Sequence, residues 1–416
     1  STDVNVKALN KISNSLTAGG GAAGLAAVTG VVSVNTINSS VIARVHNNSD
    51  LTSVREKVNV TAKEEKNIKQ TAANAGIGGA AIGANVLVNN FGTAVEDRKN
   101  SEGKGTEVLK TLDEVNKEQD KKVNDATKKI LQSAGISTED TSVKADRGDT
   151  QGEGIKAIVK TSDIIGKNVD ITTEDKNNIT STGGLGTAGL ASASGTVAVT
   201  NIKRNSGVTV ENSFVKAIEK LNVRSDITGN VALTAYQGSV GALGIGAAYT
   251  ELNSNGRSNI NIRNSKLLGK NIDVIVKDKS ELTAEAKGLT AGAVAAGAII
   301  SKAKNEMNSE IEIEKSIFNE ENRVNSPSKG IGREINVKVE KENRVTAESQ
   351  GVSVGAVAGA GIISDAKDAG SSYLKVSTKS GRSIFHADNV NMEATHKMKV
   401  TAASKAVTGS VLGGVG

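Results

Sequence analysis

The stretch from Asn271 to Phe318, NIDVIVKDKSELTAEAKGLTAGAVAAGAIISKAKNEMNSEIEIEKSIF, decides the fold. It opens with a period of two: Ile272, Val274 and Val276 fall on one face of an extended chain, Asp273, Ile275 and Lys277 on the other. A charge-free run of Gly, Ala, Val and Ile follows, from Gly288 to Ser301. Alternation then returns, with Ile311 and Ile313 set between Glu310, Glu312 and Glu314. The same three-part unit recurs along the chain, which identifies a repeat architecture.

Working outward from this unit, the openers align as VNV at 4–6, VNV at 58–60, VDI at 169–171, LNV at 221–223, IDV at 272–274, INV at 335–337 and VNM at 390–392. Their first positions are 54, 111, 52, 51, 63 and 55 residues apart, so two units carry insertions. The Gly/Ala-rich middles recur as well, from Ala18, Ala75, Gly183, Gly238 and Gly351. In the last of these, Val352, Val354, Ala356, Ala358, Ala360 and Ile362 are expected on one face and Gly351, Ser353 and Gly355 on the other. Glycine weakens a strand unless another backbone or a tight bend needs the space, so these runs predict close approach. Phe214, Leu267, Phe318 and Phe385 follow the closing strands at offsets of 45, 46, 46 and 50 from their openers, and a stacked ladder is expected.

Composition fits a solenoid. Forty-five Gly, one Pro, no Trp and seven Phe and Tyr cannot build a core around large anchors. Burial must come from layers of Val, Ile, Leu and Ala. The sequence therefore predicts an all-β, right-handed parallel β-helix. At roughly 20 residues per coil, near the lower end of known repeat lengths, the chain would make about 18 coils. At ~4.8 Å per coil that rod would be about 85 Å long. Residues 1–99 and 154–416 are read as one solenoid, and 100–153 as an inserted helical segment. Within the insertion, Val108, Leu112, Val115, Val123, Ala126 and Ile130 form a helical stripe between Thr106 and Gly135. The shorter insertion surrounds Pro327 and reads as a loop.

The absence of cysteine removes disulfides, thiolate nucleophiles and Cys-based zinc sites together. A net charge of +6 spread as alternating Lys, Arg, Asp and Glu, without basic runs or interleaved aromatics, argues against nucleic-acid binding. The charge-free runs from Gly288 and Gly351 stop short of the ~20 residues that span a bilayer, so no stable transmembrane insertion is expected. The chain starts at Ser1 without a leader and stops inside a Gly-rich run, so both ends are expected to continue in a longer protein.

The search for chemistry yields no catalytic, cofactor-binding or metal-ligating residue. GVSVG at 351–355 matches the nucleophile-elbow pattern, but Ser353 sits in an alternating strand with no helix to follow, and its repeats are expected to lack a serine there. His46, His386 and His396 are scattered without metal spacing. GGLGTAG at 183–189 lacks the Asp of a calcium-binding nonapeptide. Glu312 and Glu314 read as solubilising charge on a solvent face.

The openers such as GKNVDITTEDKNNI, middles such as GLTAGAVAAGAIIS and phrases such as KAIVKTSDIIGKN resemble the repeated passenger of the large secreted leukotoxins of fusobacteria. These are related in style to filamentous-haemagglutinin-like exoproteins. The resemblance implies a parallel β-helix, export across an outer membrane by a two-partner route, and binding of a host leukocyte receptor, protein or glycan, followed by activation or death of the cell. It implies a secreted or cell-surface monomer with no cofactor, and it supplies no catalytic motif. The alternative is an adhesin stalk or binding region on the same scaffold.

Overall fold

The computed structural model describes residues 3–92, 154–319, 332–377 and 381–410. These residues contain no helix. Their sixteen strands lie in one sheet system, and every pairing among them is parallel. This is a parallel β-helix. The expected helix within 100–153 and the loop around Pro327 lie outside the described residues. The solenoid is continuous across the long insertion: Val41, in the first coil, pairs with Ile155, which resumes the second.

The openers stack in register. Val4 pairs with Val58, Val58 with Val169, Val169 with Leu221, Leu221 with Ile272, Ile272 with Ile335, and Ile335 with Val390. A residue's hydrogen-bonded neighbour is thus the residue one whole unit away. The expectation of about 20 residues per coil is corrected: one unit is one coil, and the openers mark seven levels instead of about 18. Six steps of ~4.8 Å make the stack about 29 Å tall.

A coil this long is flat. In the unit that opens at Ile272, Asn271–Ala291 runs outward for 21 residues, Gly292 and Ala293 turn the chain, and Val294–Glu314 returns for 21. At ~3.3 Å per residue each limb is about 70 Å long. The limbs face each other across a thin core. Ser301 Oγ donates to the Ala284 carbonyl at 2.7 Å, and Gly288 faces Ile299. The glycines of the middles are needed for this approach, because a Cβ on Gly183 would stand 2.6 Å from a methyl of Leu87, and one on Gly288 2.7 Å from a methyl of Ile299.

The fold-back also corrects the expected faces of the last middle. The chain reverses at Gly355–Ala356, so Val352 and Val354 are exposed before the turn while Ala358 and Ala360 are buried after it. At the reversal Gly24, Gly78, Gly189, Gly241, Gly292 and Gly355 stack on one another. From Gly78 on, each holds its α-carbon against the carbonyl oxygen of the glycine in the preceding coil, leaving no room for a Cβ.

The wide end of the coil is three-sided. Opener, closer and a short third strand enclose a core in which Ile164, Val215, Leu267 and Phe318 are fully buried and in register. Phe318 stacks on Phe385 with centroids 4.7 Å apart. The ladder predicted from the aromatic residues is therefore real, but its member in the third coil is Val215; Phe214 pairs with Lys266 instead. The corner before this ladder is fixed by Asn212, Asn264 and Lys315 in the left-handed region, with φ of 50, 47 and 48°. A serine follows each: the Oγ of Ser213 and of Ser265 donates to the carbonyl two residues back at 2.7 Å. Each hydroxyl also accepts the amide of the preceding coil's serine at 3.2 Å.

The glycine column gives a direct test. Gly241→Ala pushes a methyl into the Gly189 carbonyl and should cost about 3 kcal/mol, the scale of overpacking a rigid core. Gly184→Ala, where a Cβ would meet nothing within 4 Å, should leave stability unchanged or raise it by up to about 1 kcal/mol. Urea midpoints of the two variants check both.

Candidate functional site

From the wide end to the turn, the interior passes through four zones set by which residues point inward. The three-sided aliphatic core comes first. A belt of buried charge follows, then a second aliphatic core with Leu233, Leu252, Leu282 and Ile299. The last zone, toward the turn, is filled by small polar side chains.

The belt runs along the stack. Glu64 accepts from Lys66 and, at 3.0 Å, from Asn10 Nδ2. One coil on, Asp175 accepts from Asn177 Nδ2 at 2.8 Å. Burial pushes the Asp175 carboxyl up, against the opposing pull of Lys66 and Arg204. Arg204 is 2% exposed, and its Nη2 reaches Ser254 at 2.9 Å and Ser280 at 3.0 Å. Ser280 in turn donates to Asp278 at 3.0 Å. Lys341 donates to the Met307 carbonyl at 2.5 Å; burial pushes its amine down, with Asp278 and Asp368 opposing. Asp368 accepts from Asn305 and Asn343 at 3.2 and 3.1 Å, and His396 Nε2 lies 3.5 Å from it. Both signs of charge are thus gathered in a space closed to solvent: Asp278 lies in register with Lys341, while the acids Glu64 and Asp175 are in-register neighbours, with Lys66 and Arg204 drawing on Asp175. Such an arrangement has no route for a substrate; what it does is penalise any slip of register that would part these buried charges from their hydrogen-bond and ionic partners.

The residues weighed for chemistry are dispersed. Ser353 is fully buried, accepts from Thr290 Oγ1 at 3.0 Å and donates to the Ala295 carbonyl at 3.2 Å. The expectation that its repeats lack a serine is corrected at one coil: Ser239 is in register with Ser353, and Thr290 and Thr408 occupy the same column. His46 lies in the first coil, His386 in the sixth and His396 in the seventh. Among the described residues no group of three or more His, Cys, Asp or Glu converges to hold a metal. Glu312 lies between coils, 2.9 Å from Arg263 and 3.0 Å from Lys375. Partial burial works against its ionised form, but these two hydrogen bonds prevail and hold the carboxyl below its ordinary range.

The outer surface near the turn is a second distinctive feature. The charge-free runs stack on one another, and the side chains they point outward are apolar. Leu190 is 75% exposed, Ile363 54% and Leu289 46%. Val240, Leu243, Val294, Val354 and Val357 are exposed beside the turns. The inward positions of the same runs are the polar ones: Ser192 shares a hydrogen bond with Ser239 at 2.7 Å, Gln237 donates to Ser194 at 2.7 Å, and Thr250 donates to Ser301 at 2.9 Å. Ordinary soluble strands put polar residues outside and apolar residues inside; here that order is reversed. No helix of the described residues is long and apolar enough to cross a membrane.

No family model matches this chain, nor does any curated protein or solved structure.

The belt makes stability pH-dependent. Because the folded state holds Lys341 less strongly protonated than the unfolded chain does, its contribution to stability should climb with pH up to the ordinary lysine value of 10.5 and level off above it. Lys176 and Lys287, raised chiefly by hydrogen bonds to Glu174 and Glu285, act in the opposite sense and only above that value. Tyr249 and Tyr373, whose hydroxyls are pushed up by burial and by Glu251 and Glu310, also oppose it near the ordinary tyrosine value of 10.0. Urea titrations from pH 7 to 9 should therefore find this rise in the natural sequence and a smaller one in Lys341→Met. Asp278→Ala, which leaves Lys341 and Arg204 with less compensation, should cost about 3–5 kcal/mol at pH 7.

Proposed function

We propose that this chain is a β-helical segment of a secreted, leukotoxin-like bacterial exoprotein that engages the host leukocyte surface without covalent chemistry and contributes to killing the cell. The observation that carries this reading is the stacked apolar edge, a continuous surface built from equivalent positions of successive units. Solenoids present such surfaces for binding, and large contiguous apolar patches mark interaction sites. The phrases shared with leukotoxin passengers supply the cell type. An adhesin reading draws on the same coils, since an unbroken hydrogen-bonded wall is also a stiff spacer.

Fluorescently labelled protein, incubated with leukocytes and with epithelial cells while viability is followed, separates these readings. Selective leukocyte binding with cell death is the expected result. The double variant Leu289→Asp/Val352→Asp should lose at least about tenfold in binding, because it charges the centre of the apolar patch. Binding without death would favour the adhesin, and binding to neither cell type would overturn both readings.

A further inference from the structure

We propose that the apolar edge is a lipid-inserting edge, which enters one leaflet of a phospholipid bilayer without crossing it. This deepens the proposed function and rests on it for the cell type, but the lipid chemistry stands on the edge alone.

Three observations fix the occupant. The first is the reversed patterning. Apolar-outward, polar-inward alternation is how strands are written when their outer face meets hydrocarbon. The edge keeps this order on both limbs, with the Ser192–Ser239 and Gln237–Ser194 hydrogen bonds inside and Val240, Leu243, Val294 and Val357 outside.

The second is that the backbone at the turn is already satisfied. Gly241 N donates to the Ala291 carbonyl at 2.9 Å, Val294 N to Ala242 at 3.0 Å, Gly292 N to Val354 at 3.0 Å and Val357 N to Ala293 at 2.9 Å. Hydrocarbon excludes irregular backbone because unpaired amides are costly there. Coil-to-coil pairing removes that penalty for the inner turns.

The third is the rim. Six residues back from the turn on the outgoing limb, Tyr236, Lys287, Gln350 and Lys405 form one in-register row. Lys287 Nζ lies 5.8 Å from the Tyr236 ring centroid. On the return limb Tyr249 stands at a similar height, but it packs against the buried cluster of Val86, Val88, Val197 and Val199 and donates its hydroxyl to Glu251, so it is not part of the exposed rim. The exposed Tyr236 is therefore at the base of the edge with a lysine over its ring. Tyrosine and lysine are the residues that anchor a protein at the headgroup level. The charged members of this row are Lys287, which is paired with Glu285 at 2.9 Å, and Lys405. The two lysines of the row complement lipid phosphates.

The dimensions agree. Six residues at ~3.3 Å place the rim about 20 Å from the turn. Half of a bilayer, headgroups included, is about 20–22 Å thick. With the turns at the bilayer midplane, the Tyr/Lys row lies among the phosphates. A second copy pressing the same edge against this one would also cover apolar surface, but it would not call for an aromatic and basic rim at this height.

The test uses the 416-residue chain and protein-free vesicles of phosphatidylcholine, alone or mixed with phosphatidylserine, in flotation gradients. The protein should float with the vesicles, more so with phosphatidylserine. Leu190→Asp/Val294→Asp should reduce partitioning about tenfold or more, given the cost of acidic groups in hydrocarbon. Both positions are exposed, so the melting temperature should stay unchanged. The natural chain has no Trp, so single reporters read depth: Leu190→Trp should blue-shift and be quenched by lipids brominated deep in the acyl chain, while Lys216→Trp at the wide end should not. Failure to float with either vesicle would overturn the lipid inference, and if the protein still bound leukocytes the proposed function would survive it. Quenching of Lys216→Trp instead of Leu190→Trp would also overturn it. So would a dimer, seen by sedimentation without lipid, that Leu190→Asp/Val294→Asp splits into monomers.

Discussion

Parallel pairing in strict register is the constraint on which the rest of this molecule depends. Each residue lies beside its equivalent one unit away, so any property of a position is multiplied down the stack. A position that folds the chain tightly must be glycine in coil after coil, as at Gly189, Gly241 and Gly292. A buried charge is felt in the neighbouring coil, as opposite charge between Asp278 and Lys341 and as like charge between Glu64 and Asp175. An outward apolar position becomes an apolar stripe. The architecture amplifies small sequence choices into surfaces and columns.

The parallel β-helix and the alignment of its units were legible because the openers repeat a short apolar-polar-apolar phrase that must stack. Val4, Val58, Val169, Leu221, Ile272, Ile335 and Val390 occupy one column, as their spacing requires. Coil length was not legible. A period of two marks a strand but not its length, and a Gly-x reversal inside a Gly-rich run leaves no contrast to mark the turn. Reading straight through Gly355–Ala356 preserved the parity on paper and inverted it in space. The aromatic ladder failed at one place for a different reason. The constant offset of 46 from the opener selects Val215 beside Leu267 and Phe318, whereas similarity of residue type selected Phe214.

The interior belt and the outer edge were written in the sequence less openly. In the opening strand Val274, Val276, Asp278, Ser280 and Leu282 share one parity, so Asp278 had to point inward with the valines. The signal was available but looked like an ordinary solvent-facing charge among Lys277, Lys279 and Glu281. Charge-free runs were plain to see; their exposure was not, because apolar residues are normally assigned to a core. Only the flat coil, with Ser192, Ser239 and Gln237 turned inward, puts Leu190 and Val294 on the outside. Burying polar groups there is tolerable because they bond to one another across the limbs.

The flat coil is the central claim, and a single distance tests it. The chain has no cysteine, so spin labels can be attached at Lys176→Cys and Leu190→Cys alone. In one extended limb these positions are separated by about 45 Å, fourteen residues at ~3.3 Å each. A pulsed electron–electron resonance measurement centred near that value supports the long flat coil and, with it, the edge and the belt. A distance of about 25 Å or less, as a 20-residue coil would require by bending the chain between the two labels, would contradict the account at its root.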